Sequence, residues 1–186
     1  MSEDRFSRVV SLACHDLRTP LATIYGFART LTRTGDLDER TMRFLGMIEE
    51  ASEQMTELLD ELGVAARIEG GRWEPGLVEV DTLELARLDD ERVVTEGEGE
   101  AIETEATSVE RALRSLAIAA ARYGPAEQVT WRVQGRLLEL SPITADAAPV
   151  VIAESVRDLG SIVARVVIEE LGGSIELDGG ILRVTL

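Results

Sequence analysis

The segment His15-Asp16-Leu17-Arg18-Thr19-Pro20-Leu21 brings an imidazole, a carboxylate and a hydroxyl close together in the chain. Its histidine is the only one among the 186 residues. An exposed imidazole with a carboxylate beside it and a hydroxyl nearby is equipped to act as a nucleophile. This segment is therefore the candidate reactive site.

The apolar spacing predicts that this segment lies in a long helix. One seam recurs at three- and four-residue steps, formed by Phe6, Val10, Ala13, Leu17, Leu21, Ile24, Ala28 and Leu31. At about 100° per residue, His15 lies about 160° from Leu17 and points outward, with Thr19 one turn further along the same face. Pro20 removes a helical hydrogen bond at a cost of about 3 kcal/mol, so we expect a bend. The alternative is a surface histidine without a function on a bent helix.

The segment from Ser11 to Phe27, SLACHDLRTPLATIYGF, resembles the phosphoacceptor box of sensor histidine kinases, in their HisKA-type dimerisation and phosphotransfer domain. The resemblance implies that His15 is phosphorylated and that Asp16 orients or deprotonates it. It also implies that Thr19 helps to position water for dephosphorylating a partner. His15, Asp16 and Thr19 are thus the implied catalytic residues.

A second set of residues on the same helix is predicted to bind a partner. One outward stripe at helical spacing contains His15, Thr19, Ala22, Gly26, Arg29 and Arg33. Small residues below the histidine let another helix approach, and the arginines suit an acidic rim. With the arginine of the motif, the predicted partner-binding residues are Arg18, Ala22, Gly26, Arg29 and Arg33. For Ala22 and Gly26 the alternative is the ordinary tolerance of small residues on a surface.

Composition limits the function classes. With 45% apolar residues the chain can form a real core, and its formal charge of −16 argues against nucleic-acid binding. One cysteine, Cys14, excludes an internal disulfide, and a single histidine leaves no His/Cys metal cluster; we expect Cys14 to be a packed small residue. No signal peptide and no run of roughly 18 apolar residues is present. We expect a cytoplasmic protein without direct membrane insertion and without a sensor of its own.

Residues 1–70 are predicted to form a helical hairpin. The first helix runs to about Arg33 and stops at Thr34-Gly35-Asp36, where Gly35 caps its end and Asp36 or Asp38 caps the next helix. The second helix ends at Gly70-Gly71, and its apolar positions are Leu45, Ile48, Ser52, Met55, Leu59, Leu62 and Ala66. Helices of about 45 Å cannot cover both seams within one hairpin. We therefore expect a homodimeric four-helix bundle; the alternative is a hairpin that packs only on the C-terminal domain.

Residues 71–186 alternate between strand and helix patterns. Strands are predicted at 92–95 and 101–104, a hairpin from 129–133 to 137–140, and two final strands at 174–177 and 181–184 around Gly179-Gly180. Helices are predicted at 109–121, capped by Thr107 or Ser108, and from about Ser155 to Leu171, stopped by Gly172-Gly173. This order predicts a small α/β sandwich of mostly antiparallel strands.

The C-terminal half is similar to the ATP-binding domain of histidine kinases, of the GHKL type. The stretch from Asp158 to Leu177 aligns with the family's second glycine box and the helix and strand after it. Four positions mark a degenerate nucleotide site: Ser115 and Ala119 in place of the two asparagines of the family's asparagine box, and Asp158 and Gly160 in the glycine box. Ala119 offers no oxygen to Mg²⁺, and the charge of Asp158 repels ATP.

Two further departures concern the nucleotide directly. After Leu140 the chain reads SPITADAAP, without the glycines of the family's adenine-reading segment. From Pro142 to Asp158 only seventeen residues remain, which leaves little chain for a lid over the phosphates. The resemblance therefore implies a domain that keeps the fold without its site. A working kinase with substitute ligands such as Glu110 or Asp146 is the alternative.

We thus expect an α+β protein in which a dimeric helical hairpin (1–70) precedes a degenerate ATP-binding-like sandwich (71–186). The leading interpretation is a phosphotransfer protein of a two-component phosphorelay, carrying a phosphoryl group on His15 to or from the aspartate of a response regulator receiver domain. An upstream hybrid histidine kinase is a further expected partner, and no cofactor or metal is expected. The alternatives are an active histidine kinase core with receiver phosphatase activity, and a non-catalytic dimeric interaction module.

Overall fold

Two long helices, α1 (Glu3–Thr34) and α2 (Glu39–Glu69), open the chain in a computed structural model that describes residues 3–34 and 37–186. The predicted hairpin is confirmed. The carboxylate of Asp38 caps α2 by accepting the backbone N–H of Thr41 at 2.8 Å, and this hydrogen bond lowers the pKa of Asp38. The chain leaves α2 through the C-cap Gly70 and the left-handed Gly71, as predicted. The predicted caps at Gly35 and Asp36 lie outside the described residues.

The two helices pack on each other through mostly small side chains. Every seventh residue of α1 is buried, and these residues are Ser7, Cys14, Leu21 and Ala28. They are matched on α2 by the buried Leu45, Ser52, Gly63 and Ala66. The predicted apolar seam of α1 is consequently split, because Leu21 and Ala28 are buried whereas Leu17 and Ile24 remain exposed. Cys14 is packed, as expected.

The second compact unit, Trp73–Leu186, is an α/β sandwich. Its elements are β1 (Val78–Asp81), α3 (Thr82–Ala86), β2 (Val93–Glu98), β3 (Ala101–Thr104), α4 (Ala106–Tyr123), β4 (Val129–Gln134), β5 (Leu137–Ser141), α5 (Ala148–Val151), α6 (Leu159–Glu170), β6 (Ser174–Asp178) and β7 (Ile181–Thr185). Five strands form one sheet in the order β2-β4-β5-β7-β6, in which only the β2–β4 pair is parallel. β1 and β3 form a separate antiparallel pair.

The predicted strands and the β4–β5 hairpin are confirmed, but two helix starts were predicted wrongly. α4 begins at Ala106, and its cap is Glu105 rather than Thr107 or Ser108, because the Glu105 carboxylate accepts the backbone N–H of Ser108 at 2.6 Å. α6 begins at Leu159 rather than near Ser155, because the carboxylate of Asp158 caps it. The short β1, α3 and α5 were not predicted, since four or five residues carry little periodicity.

The core of this unit lies between the five-stranded sheet and helices α4 and α6. Its largest fully buried side chains include Trp131, Leu113, Leu116, Leu138, Leu140, Ile168 and Leu182. Alternate residues of β4 and β5 are buried, which is the period of a sheet with one covered face. Among the described residues, no helix is long and apolar enough to cross a membrane.

Gly97 provides a test of the sheet. It has a φ of 115°, and a Cβ there would clash with the backbone carbonyl of Val133, its partner on β4. Gly172 is the matched control, because its φ is 84° and a Cβ would meet no atom within 4 Å. We expect Gly97→Ala to lower the free energy of unfolding by about 3 kcal/mol or more, and Gly172→Ala by about 1–2 kcal/mol. Urea unfolding followed by tryptophan fluorescence measures both; equal losses would contradict this account of the β2–β4 pair.

Candidate functional site

His15 lies on the open side of α1. Its side chain is 75% exposed and that of Asp16 is 67% exposed, and the imidazole Nδ1 lies 3.1 Å from the carboxylate Oδ1 of Asp16. An ionised carboxylate only accepts hydrogen bonds, so this contact requires a proton on Nδ1. The neutral imidazole then keeps its lone pair on Nε2, the other ring nitrogen. In this tautomer Nε2 is the ring nitrogen that is able to act as a nucleophile.

Thr19 and Pro20 shape the turn after the histidine. Thr19 is exposed, one turn further along α1, and its backbone carbonyl accepts the hydroxyl of Thr23 at 3.0 Å. Pro20 lies inside the helix and has no N–H, so the carbonyl of Asp16 receives no helical hydrogen bond from this position. A hydroxyl and a backbone acceptor thus accompany the imidazole on the same stretch of helix.

The predicted partner stripe is exposed along its whole length: Ala22, Gly26, Arg29 and Arg33 all lie on the surface. A Cβ on Gly26 would meet no atom within 4 Å, so packing within this chain does not require a glycine there. The guanidinium of Arg29 lies 5.7 Å from the ring centroid of Tyr25 and donates to its hydroxyl at 3.2 Å. Arg29 is therefore held along its own helix.

Arg18 lies between this stripe and the face of α1 that packs on α2. It follows the buried Cys14 by four residues and precedes the buried Leu21 by three, so it borders the face that packs on α2. Its Nε and Nη2 both donate to Oδ1 of Asp60 on α2, at 3.0 Å and 2.8 Å. The structure therefore places this predicted partner-binding residue in a contact within the hairpin.

Three carboxylates of α2 that sequence reasoning missed contact α1. Besides Asp60, Glu53 accepts the hydroxyl of Tyr25 at 2.9 Å, and Glu49 accepts the hydroxyl of Thr32 at 2.6 Å. The hydrogen bond to Glu53 raises the pKa of Tyr25, so the phenol remains a donor. One signal in the sequence could have found these contacts. Positions 18, 25 and 32 of α1 have the same seven-residue spacing as the buried positions 7, 14, 21 and 28, so they border the buried face.

The four predicted positions of the degenerate nucleotide site lie on α4 and at the start of α6. Ala119 is buried in the core, and a Cβ on Gly160 would lie 2.8 Å from the Oγ of Ser115. The two helices are therefore in direct contact at this point. The carboxylate of Asp158 accepts the backbone N–H of Ser161 at 2.8 Å and its hydroxyl at 3.1 Å. A side chain of this chain thus occupies the anion position at the N-terminus of α6.

These residues do not fit Mg²⁺-ATP. Mg²⁺ requires oxygen ligands, whereas the residue at the implied metal position, Ala119, presents a buried methyl group. A phosphate approaching α6 would meet the carboxylate of Asp158, and like charges repel.

Comparison with known proteins agrees with this geometry. Residues 7–71 match the family described as the His Kinase A (phospho-acceptor) domain. The chain is 33% identical over 93 residues to the probable sensor histidine kinase TcrY of Mycobacterium tuberculosis, an alignment that covers 50% of this chain and 20% of that protein. It is 42% identical over 89 residues to the sensor histidine kinase TrcS of the same organism, covering 47% of this chain and 16% of that protein. The chain spans a fifth or less of the length of these relatives.

Solved structures share the fold. The Acinetobacter baumannii histidine kinase AdeS aligns with a TM-score of 0.57 at 20% identity, covering 92% of this chain and 96% of that chain. Full-length ShkA in complex with AMPPNP aligns with a TM-score of 0.65 at 18% identity, covering 95% of this chain and 44% of that chain. At these identities the likeness concerns the fold alone.

A two-helix hairpin with an exposed histidine on its first helix, followed by an α/β sheet domain, is the fold that the chain shares with these structures. The N-terminal hairpin belongs to the His Kinase A (phospho-acceptor) domain family over residues 7–71, and about half of the chain is similar to sensor histidine kinases. A phosphoacceptor domain of this kind supports a role in two-component signalling.

Proposed function

We propose that this chain is a dimeric histidine phosphotransfer protein. It accepts a phosphoryl group on Nε2 of His15 from the phosphorylated aspartate of a receiver domain and passes it to another receiver. The observation that carries the proposal is the pairing of Nδ1 with Asp16, which leaves Nε2 as the nucleophile on a side chain that is 75% exposed. The exposed stripe from Thr19 to Arg33 supplies a docking surface for the receiver beside it.

The transfer step needs few groups from this chain. The lone pair of Nε2 attacks the phosphorus, the P–O bond to the aspartate breaks, and that electron pair leaves on the carboxylate. The imidazole becomes positively charged while its proton stays on Nδ1, where Asp16 stabilises it. The receiver contributes the aspartate and its metal. Phosphoryl transfer of this kind depends mainly on positioning and electrostatics, which the fixed imidazole and the open surface provide.

Transfer is tested by mixing the protein with a panel of phosphorylated receivers and locating acid-labile phosphate by mass spectrometry. We expect phosphate on His15 alone, and none on His15→Ala.

Asp16→Asn should slow transfer by about tenfold or more, because the charge that stabilises the imidazolium is lost. Thr19→Ala should change transfer less than it changes receiver dephosphorylation, because its hydroxyl can position water without touching the imidazole. Failure of every receiver to label His15, together with full cellular activity of His15→Ala, would favour the interaction module.

The main rival is an active histidine kinase core that phosphorylates its own His15 from ATP. Its support is the fold shared with the histidine kinase AdeS and with ShkA, whose structure holds AMPPNP. Against it stand the buried methyl of Ala119, the contact of Gly160 with Ser115 and the carboxylate of Asp158 at the start of α6. We therefore assign the second domain a docking role rather than a nucleotide site.

Calorimetry separates these two functions. We expect no measurable heat of binding when Mg²⁺-ATP is titrated to millimolar concentration, because the metal position has no ligand oxygen and a carboxylate faces the phosphates. A histidine kinase core with its asparagine box intact serves as the positive control. Saturable binding in the micromolar range, or labelling of His15 from ATP, would promote the kinase function.

Dimerisation is proposed from the outer surface of the hairpin. Large apolar side chains are exposed on both helices: Phe6, Val9, Leu12, Leu17, Ile24, Phe27 and Leu31 on α1, and Phe44, Met47, Ile48, Met55 and Leu58 on α2. Several of them line an apolar groove of about 390 Å³ with Pro20, Leu21 and Leu59. So much exposed apolar surface is unusual for a monomer. A second hairpin that completes a four-helix bundle would cover it.

The dimer is tested by charged substitutions in this groove. Ile24→Glu or Met55→Glu would bury an unpaired charge, so we expect dissociation to become about a hundredfold easier or more. Thr23→Glu is the matched control, because it adds the same charge at an exposed neighbouring position outside the groove. Light scattering at micromolar concentration should show dimers for the parent and Thr23→Glu and monomers for the groove variants. A monomeric parent chain would rule the dimer out.

A further inference from the structure

We propose that Asp60 is a positioning residue for phosphorylated His15. It holds Arg18 against α2 while the imidazole is unmodified, and it competes with the phosphoryl group for Arg18 once His15 is phosphorylated. The inference rests on the proposed function, since it requires His15 to carry a phosphoryl group. It concerns a residue of the second helix, outside the phosphoacceptor motif.

The existing contact is suited to exchange. Both guanidinium hydrogen bonds from Arg18 end on Oδ1 of Asp60, instead of reaching one carboxylate oxygen each in the strong two-pronged geometry. The side chains of Arg18 and Asp60 are 39% and 28% exposed, so water screens the pair and its stabilisation is modest. A stronger acceptor within reach can therefore displace the carboxylate.

Phosphorylation would place such an acceptor beside Arg18. Residues three apart on a helix are neighbours, with Cβ atoms about 5–6 Å apart, and Arg18 follows His15 by three. A phosphoryl group offers three oxygens and a charge of about −1.5 to −2. It is therefore a better acceptor for the planar guanidinium group of Arg18 than a single carboxylate oxygen. The chain therefore holds a cation next to the site where the anion forms.

The surroundings on α2 also favour release. Gly63 is buried, and a Cβ there would lie 3.5 Å from Nη2 of Arg18 and 3.5 Å from Nη1 of Arg67. The guanidinium groups of two arginines thus approach one point on α2. Their repulsion weakens the hold of α2 on Arg18, whereas transfer to the phosphoryl group would relieve it.

The test uses chemical phosphorylation, so it needs neither a partner kinase nor a receiver. Phosphoramidate transfers its phosphoryl group to an imidazole: the P–N bond to ammonia breaks and a P–N bond to the ring forms. Because His15 is the only histidine, the full chain gives one phosphohistidine. Its ³¹P resonance is then titrated with pH in the parent, Arg18→Gln, Asp60→Asn and the double variant. Asp16 is present in all four proteins, so its effect is constant.

A guanidinium partner favours the dianionic phosphoryl group and so lowers the midpoint of the titration. We expect the highest midpoint in Arg18→Gln, an intermediate one in the parent, and the lowest in Asp60→Asn, with a span of about one pH unit between the extremes. In the double variant, removal of Asp60 should change the midpoint little, because the effect acts through Arg18. Glu53→Gln is the matched control: it also removes a carboxylate of α2 that contacts α1, and it should titrate like the parent.

Each outcome decides the proposal. Equal midpoints in the parent and Arg18→Gln, or an effect of Asp60→Asn that persists without Arg18, would overturn the role of Asp60 and leave the phosphotransfer function untouched. Absence of any phosphohistidine signal in all four proteins would contradict an accessible His15 and would remove both proposals. Far-ultraviolet circular dichroism of each variant confirms that the helices are intact.

Discussion

The close approach of α1 and α2 is the constraint on which the rest of the first unit depends. Ser7, Cys14 and Ala28 are small, and together with Leu21 they form a narrow buried line at every seventh position of α1. Once Cys14 faces α2, the next residue along the helix, His15, is turned by about 100° toward solvent. Exposure of the imidazole is thus a consequence of how the hairpin packs. The same packing leaves bulky apolar residues of both helices on the outside, which is the surface that the proposed dimer would cover.

The polar contacts between the helices follow from the same spacing. Positions 18, 25 and 32 border the buried line, so Arg18, Tyr25 and Thr32 meet carboxylates of α2. The contacts at the far end of the hairpin join neutral hydroxyls to glutamates. The one next to His15 joins two full charges, and it is this contact that a phosphoryl group would disturb most. Electrostatic sensitivity is therefore concentrated where the proposed chemistry takes place.

Local signals in the sequence predicted most of the helices and strands, but they did not predict contacts between residues that are far apart in the chain. The histidine motif, the stop at Gly70-Gly71 and the β4–β5 hairpin depend on neighbouring residues, so the sequence was sufficient for them. The starts of α4 and α6 were predicted wrongly because the capping residues, Glu105 and Asp158, were not recognised. Which side chain accepts the free N–H groups at a helix start depends on local geometry. Asp60 was missed because its partner is 42 positions away, and periodicity within one helix does not give the register between two.

The fold of the second unit is held by contacts that need no nucleotide. Its stability comes from residues such as Trp131 and Leu140, which lie in the core and need no ligand. At the positions implied for the metal and nucleotide, the residues present serve packing instead: Ala119 fills the core, Gly160 rests against Ser115, and Asp158 caps its own helix. These contacts support the proposal that the second unit serves as a docking surface rather than as a nucleotide site.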